Sequence, residues 1–131
     1  MSYSDPNRLC YSFGEIDFGA GGEVLSITGP AGKSGLLRSI HVAASETFTD
    51  DTTEGAVQVG TAADPDAYAA FNLGTLADTD SAASDDGSTD TDAIIDERIP
   101  ADTQVEVTCV APTGGTPAGK GYVTVVIDWA N

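Results

Sequence analysis

The sequence predicts an all-β fold, an antiparallel β-sandwich of the jelly-roll or Greek-key type, with one short helix and a long acidic loop. Most segments that contain several apolar residues alternate between apolar and polar side chains, which is typical of strands with one buried face. Gly and Pro cluster between these segments, as they do in turns. The pattern offers no series of crossover helices, so we expect an antiparallel sheet, and 131 residues suffice to fold it double. We expect residues 1–20 to form an N-terminal arm or first strand and residues 21–131 to form the sandwich.

Six segments are predicted to be strands. The segment 36–44 places Leu36, Ile40 and Val42 on one face, which Arg38 interrupts. Four of the other segments are bounded by turn residues and rich in β-branched side chains, which favour strands, and CYSFGEIDFG is a further candidate. In chain order the six are CYSFGEIDFG, EVLSIT, LLRSIHVAA, AVQVGT, TQVEVTCVA and GYVTVVIDWAN.

One helix is predicted in the segment DPDAYAAFNLG. Asp64 is suited to the N-cap, Tyr68 and Phe71 would share one face, and Gly74 would end the helix. The segment that follows, Ala77 to Ala93, is dense in Asp, Ser and Thr. We expect it to be a long acidic surface loop.

The charge balance narrows the range of partners. Asp and Glu number 21 against five Lys and Arg, which gives a formal charge of −16. Phosphate backbones are bound by clustered cations, so nucleic acid and anionic membranes are not expected partners. The acidic excess favours solubility, for example in a saline environment, over an acidic patch that matches one basic partner. The five cations are scattered along the sequence: Arg8, Lys33, Arg38, Arg98 and Lys120.

Membrane spans and a leader are also not predicted. The longest apolar runs are far too short to cross a bilayer. The first residues, MSYSDPNRLC, lack the basic start and apolar stretch of a secretory signal. We therefore expect the protein to act in the compartment where it is made, or to leave that compartment as part of a larger assembly.

The segment GPAGKSG resembles the start of a phosphate-binding loop, but its spacing is wrong. Such a loop needs Gly six residues before Lys33, and that position is Ile27. Pro30 also removes a backbone N–H that would bind phosphate. Because the next residues alternate like a strand, we predict a hairpin turn here and no nucleotide cofactor.

Catalytic and metal-binding patterns are equally incomplete. If Gly87 were the turn glycine of an EF-hand loop, Ala82, Ser84 and Ala93 would occupy ligand positions, so only an irregular calcium site stays open as a less favoured alternative. The single histidine, His41, is accompanied by no Gly-x-Ser-x-Gly motif. We predict no catalytic, cofactor-binding or metal-binding residues, no small-molecule substrate and no enzymatic activity.

The two cysteines leave one question open. Cys10 and Cys109 could pair, but sequence alone does not place them within bonding distance. Cys109 alternates with Val105 and Val107, so we expect it to face inward as a small apolar residue.

Two long segments resemble proteins of tailed bacteriophages. They are GKSGLLRSIHVAASETFTDDTTEGAVQVGTAADPDAYAAFNLG and IPADTQVEVTCVAPTGGTPAGKGYVTVVIDWAN. Their order of turns and strands is similar to that of capsid decoration (cement) proteins, small β-sandwich proteins encoded beside the major capsid gene. In both, a VGT…DPDAYA stretch precedes an IPA turn, which opens closing strands around GTPAGKG that end in IDW. The resemblance covers Gly32 to Trp129.

The resemblance implies a structural role. Proteins of this family are usually homotrimers that sit at threefold positions on the outer capsid surface of the virion, clamp neighbouring major capsid protein subunits and are assembled in the host cytoplasm. Clamping would draw on apolar contact area. The candidate interface residues are Tyr3, Leu9, Tyr11, Phe13, Phe18, Tyr68 and Phe71, although Phe13 and Phe18 suit the protein's own core equally well.

Two alternatives remain. The first is a glycan- or receptor-binding β-sandwich module of a phage tail or fibre, which commonly carries a cluster of exposed aromatic residues. The second is a calcium-dependent or hydrolytic domain, which calcium would stabilise against heat.

Overall fold

The structure, a computed structural model, describes residues 7–49, 52–84 and 93–130. These residues form ten β-strands and no helix, so none of them belongs to a helix that could cross a membrane. The strands are β1 (Asn7–Ser12), β2 (Ile16–Asp17), β3 (Glu23–Thr28), β4 (Ser34–Thr49), β5 (Gly55–Gly60), β6 (Ala69–Gly74), β7 (Ser81–Ala83), β8 (Arg98–Ile99), β9 (Gln104–Val110) and β10 (Ala118–Ala130).

The described strands make two sheets in which every pairing is antiparallel, which confirms the all-β, antiparallel part of the predicted fold class. Sheet A has the order β1-β10-β4-β7, with the short strands β2 and β8 pairing with β10 and β4. Sheet B has the order β3-β9-β5-β6. The described part of the N-terminal segment thus belongs to sheet A, because β1 and β2 both pair with β10.

One cluster of buried apolar residues draws on strands of both sheets, as expected if the sheets pack face to face in a β-sandwich. Strand β9 buries alternate residues, including Cys109, and its remaining residues are partly or fully exposed. In sheet A the central strands β4 and β10 also bury alternate residues over most of their length, and these side chains point into the core. The largest fully buried side chains are Trp129, Phe18, Phe48 and Phe71.

The predicted helix is wrong. The segment instead makes a tight turn and enters β6, because the Tyr68 N–H donates to the Val59 carbonyl at 2.9 Å and starts the β5–β6 pairing. Ala69, Phe71 and Leu73 are all buried and alternate with less buried residues, which is the period of a strand. Tyr68 and Phe71 are three residues apart, a spacing that also fits one face of a helix. The sequence does not show that this segment pairs with β5, and that pairing makes it a strand.

The predicted hairpin turn in GPAGKSG is also wrong. Residues 29–33 carry the chain from β3 in sheet B to β4 in sheet A. The turn is closed by the Lys33 N–H, which donates to the Pro30 carbonyl at 3.2 Å. The strand predicted after the turn is confirmed, since β4 begins at Ser34.

A β-bulge changes the face assignment at the start of β4. Ile127 of β10 pairs with Leu37 and Val126 pairs with Ser39, which leaves Arg38 as the extra residue. Leu37 is therefore buried at 1% exposure, whereas Leu36, which was predicted to face inward, is half-buried on the outer side.

The acidic segment 77–93 is only partly a loop. Its residues Ser81–Ala83 form β7, which pairs with β4 from His41 to Ala43. Residues 85–92 lie outside the described residues, and with them four of the six Asp residues that an irregular calcium site in this segment could use.

Candidate interface surfaces

Three of the predicted interface residues belong to the protein's own core. Phe18 and Phe71 are 0% exposed and Tyr68 is 6% exposed. Phe18 packs edge-to-face on Phe48, with ring centroids 5.0 Å apart. These side chains offer a partner almost no surface. Tyr3 lies outside the described residues.

The remaining predicted residues lie on or next to β1, at the edge of sheet A. Leu9 is 40% exposed, while Tyr11 and Phe13 are half-buried against the core. The hydroxyl oxygen of Tyr11 accepts a hydrogen bond of 2.7 Å from the indole Nε1 of Trp129. An interface role for these three residues stays a prediction.

We expect Tyr11→Phe to lower the free energy of unfolding by about 1–2 kcal/mol, because it leaves the buried Trp129 N–H without its partner. Urea denaturation followed by tryptophan fluorescence would measure this. The exposed Tyr122 on β10 provides the matched control, since Tyr122→Phe should change stability by less than about 0.5 kcal/mol. Equal effects of the two substitutions would show that the Tyr11 hydrogen bond adds no stability.

The sequence did not predict a cluster of charges on the outer face of sheet A. Asp128 is only 5% exposed, and its carboxylate binds two arginines. Arg8 contacts it with Nε at 2.7 Å and Nη2 at 2.9 Å, and Arg38 contacts it with Nε at 2.8 Å. These bonds, those from Arg8 above all, lower the pKa of Asp128 to about 2.

Strand register explains how these residues meet. Arg8 of β1 pairs with Asp128 of β10. Asp128 in turn pairs with Leu36 of β4, on its other side. Leu36 then pairs with Arg98 of β8. Paired residues of neighbouring strands point to the same face, so the row runs across sheet A. Arg38, the extra residue of the β-bulge in β4, joins this row as its fifth residue, because its side chain reaches Asp128 from the same side of the sheet.

A groove of about 550 Å³ lies beside this row, and we call it the arginine groove. Arg38 and Arg98 provide its cations and Asp128 its acid. Leu36, Ile99 and Pro100 provide its apolar wall. The cations that look scattered in sequence are therefore partly gathered: Arg38 and Arg98 line one groove, and Arg8 is held at its rim by Asp128.

We expect Asp128→Asn to lower the free energy of unfolding at pH 7 by about 1–3 kcal/mol, because two arginines lose their shared partner. The folded-state pKa of Asp128 is below its ordinary value of 3.8, so this contribution is present above about pH 4 and is lost as the pH falls toward about 2. Urea midpoints at pH 7, 4 and 2.5 should therefore converge for the two proteins as the pH falls. As a control, Glu97→Gln removes an exposed carboxylate 3.9 Å from Arg38 and should have little effect. A stability difference that stays constant down to pH 2.5 would contradict this account of Asp128.

Other chemistry is sparse in the described residues. They contain no group of three or more metal-ligating side chains. Ser39 and His41 are hydrogen-bonded at 3.1 Å, and no carboxylate among the described residues bonds to His41 to complete a triad. Cys10 and Cys109 are free, the first exposed and the second buried, and burial raises the pKa of Cys109 to about 12.

Comparison with known proteins identifies a related fold. The chain is similar to a solved structure described as "Cyanophage Pam1 capsid asymmetric unit". The TM-score is 0.51 and the sequence identity 17%, over 94% of this chain and 85% of that chain. At this identity the likeness establishes a shared fold. No protein-family model and no curated protein matches the chain.

Proposed function

We propose that this protein is a structural component of a tailed-phage virion, which decorates and stabilises the capsid by clamping neighbouring major capsid protein subunits. The observation that carries the proposal is the fold shared with a chain of a cyanophage capsid along nearly the whole length of this protein. In this proposal the protein binds the outer capsid surface as a homotrimer, is assembled there in the host cytoplasm and has no enzymatic activity.

The strand order supports a more specific fold, the jelly roll. If the two-residue strands β2 and β8 are set aside, eight strands remain, four in each sheet. Numbered one to eight along the chain, they run 1-8-3-6 in sheet A and 2-7-4-5 in sheet B. This is the order produced by two interlocked Greek keys, and viral capsid proteins often use that architecture. Lectins use it too, so the fold alone does not decide between them.

The described surface also suits a clamp. Binding through contact area needs accessible apolar or aromatic side chains and no reactive group. Leu9, Val24, Ile95 and Tyr122 are the exposed large apolar residues of the described chain, with 40% to 62% of their surface accessible. Leu9 and Tyr122 both lie on sheet A, on β1 and β10.

Binding to capsid shells tests the proposal. Purified protein would be mixed with empty, expanded shells made from the major capsid protein of the same phage, and the shells would be sedimented. We expect saturable binding at a fixed ratio to the capsid subunits and an increase in the temperature at which the shells disassemble. Light scattering of the free protein would give its molar mass at low and high salt, and a trimer is expected in both. If the protein fails to sediment with the shells, decoration is ruled out.

Binding assays with the same purified protein also test the rival hypothesis of a glycan- or receptor-binding module. That hypothesis predicts binding to host cells or to an array of glycans and no binding to shells. Among the exposed large apolar residues of the described chain only Tyr122 is aromatic, which gives a sugar ring little to stack on.

A further inference from the structure

The outer face of sheet B carries little charge, although the protein as a whole is strongly acidic. Strand pairing places Val24 of β3, Thr108 of β9, Gln58 of β5 and Ala70 of β6 in one row across it. In β9, β5 and β6 buried core residues alternate with this row, so the row faces outward. None of its residues is charged, and Val24 has 59% of its surface accessible.

The next row continues the same surface. Val110 of β9 pairs with Ala56 of β5, which pairs with Asn72 of β6. Each of these residues lies two positions from a member of the first row, so both rows share one side of the sheet. We call the two rows together the uncharged face. The outer face of sheet A, by contrast, holds three arginines and Asp128 beside one groove.

The nearest acids along these strands bound the uncharged face. Glu54 comes directly before β5, and Glu106 pairs with Gly60 at the other end of that strand. The turn of residues 64–66 covers Gly60 and adds two more acids there. Glu23, the first residue of β3, pairs with an inward-facing residue of β9, so its side chain starts from the other side of the sheet. An uncharged centre inside a polar rim is the usual anatomy of a protein–protein interface.

Charge also indicates which kind of partner this face suits. A basic partner would be attracted to the acidic surfaces of the protein instead. A partner that is itself strongly acidic can approach closely only where acids are missing, because like charges in contact oppose association. A second copy of this chain is such a partner, since it has the same formal charge of −16.

We propose that copies of this chain associate through the uncharged face, each copy presenting this same face to the others. In the homotrimer proposed above, the three faces would turn toward the threefold axis. The acids that bound the face would then stay in contact with solvent, where salt screens them. The inference rests on the self-association in the proposed function and assigns the surface that produces it.

A charge added to the middle of the face tests the inference. Gln58→Glu changes the size of the side chain very little, and we expect it to weaken self-association at least about tenfold in analytical ultracentrifugation, because it brings like charges together. Gln58→Lys should weaken self-association as well, even though it lowers the net negative charge. Thermal unfolding of each variant would verify that it folds.

Thr124→Glu is the matched control. Thr124 is half-buried on the central strand β10 of sheet A, between two buried residues, and its substitution makes the same change in net charge as Gln58→Glu. We expect this control to self-associate like the wild type. Equal weakening by Gln58→Glu and Thr124→Glu would overturn the inference, because it would reflect net charge alone.

A mixture of two variants tests whether the same face meets itself. Gln58→Glu and Gln58→Lys together should associate at least about tenfold more tightly than either variant alone, because opposite charges then face each other across the contact. A mixture that associates no more tightly than its components would overturn the inference.

Salt provides a further measurement on the unchanged protein. Self-association of the wild type should strengthen from low to high salt, because salt screens the repulsion between acidic copies and an uncharged contact loses nothing. Association that weakens with salt would indicate ion pairs and would overturn the inference. A wild-type protein that stays monomeric at both salts would overturn it too.

Shell binding separates this inference from the proposed function. If Gln58→Glu self-associates like the wild type and both sediment with shells, the uncharged face is the wrong contact and decoration stands. If Gln58→Glu loses self-association and the wild type does not sediment with shells, the contact stands and decoration fails.

Discussion

Trp129→Ala is expected to lower the free energy of unfolding by about 3–5 kcal/mol, the usual cost of removing a large aromatic side chain from a core. Trp129 is 1% exposed and lies near the end of β10. Its ring packs directly on Gly29 and Gly35, where added side chains would overlap the ring atoms. The substitution thus empties a space that glycines on two connected segments leave open for the indole.

A second variant separates packing from hydrogen bonding at this position. Trp129→Phe keeps an aromatic ring but removes the Nε1 donor to Tyr11, so it should cost less than Trp129→Ala. Chemical denaturation of the two variants gives the comparison, with circular dichroism as the signal because the protein has no other tryptophan. If Trp129→Ala costs less than about 1 kcal/mol, the indole does not fill the core as described here.

Gly22→Ala is expected to cost about 2–4 kcal/mol, because two unfavourable effects act together. Gly22 has a φ of +73°, which is unfavourable for a residue with a Cβ atom. An added Cβ would also overlap the backbone carbonyl oxygen of Cys109, and a backbone atom in a paired strand has little freedom to move. Gly22 precedes β3, so the strain would act where β3 begins to pair with β9.

Gly32 provides a matched control for that experiment. Its φ of +74° is almost the same, but an added Cβ would meet nothing within 4 Å. Gly32→Ala should therefore cost only the conformational strain, about 1–2 kcal/mol. The difference between the two variants in urea denaturation measures the overlap with β9. Equal costs would mean that the backbone near Gly22 relaxes without loss.

Features that depend on local periodicity could be predicted from the sequence. The alternation of β9 and β10 is visible in a few residues, and both strands formed with the expected faces, including the inward Cys109 and Trp129. The helix failed for the converse reason. Asp64 and Gly74 are valid local signals of helix ends, but pairing of β6 with β5 overrides them. The bulge at Arg38 was equally invisible, since a bulge exists only relative to a partner strand.

The arginine groove could not be predicted, because its members are far apart in sequence. Arg38 and Asp128 are separated by 90 residues and meet only through the pairing of β4 with β10. The one local sign of the groove was that Arg38 interrupts the otherwise apolar face predicted for residues 36–44. The burial of Phe18, Tyr68 and Phe71, which were among the predicted interface residues, could not be read from the sequence either, because a core aromatic and an exposed one look alike there.

The place of β10 in sheet A has a consequence for synthesis of the protein. β10 leaves the ribosome after the other nine described strands, yet it lies between β1 and β4 and pairs with both. Until residues 118–130 are made, β1 and the long strand β4 have exposed edges that invite pairing with other chains. Sheet A is therefore expected to form only after translation of β10, and a nascent chain that stops before Ala118 should be recovered with chaperones or in aggregates.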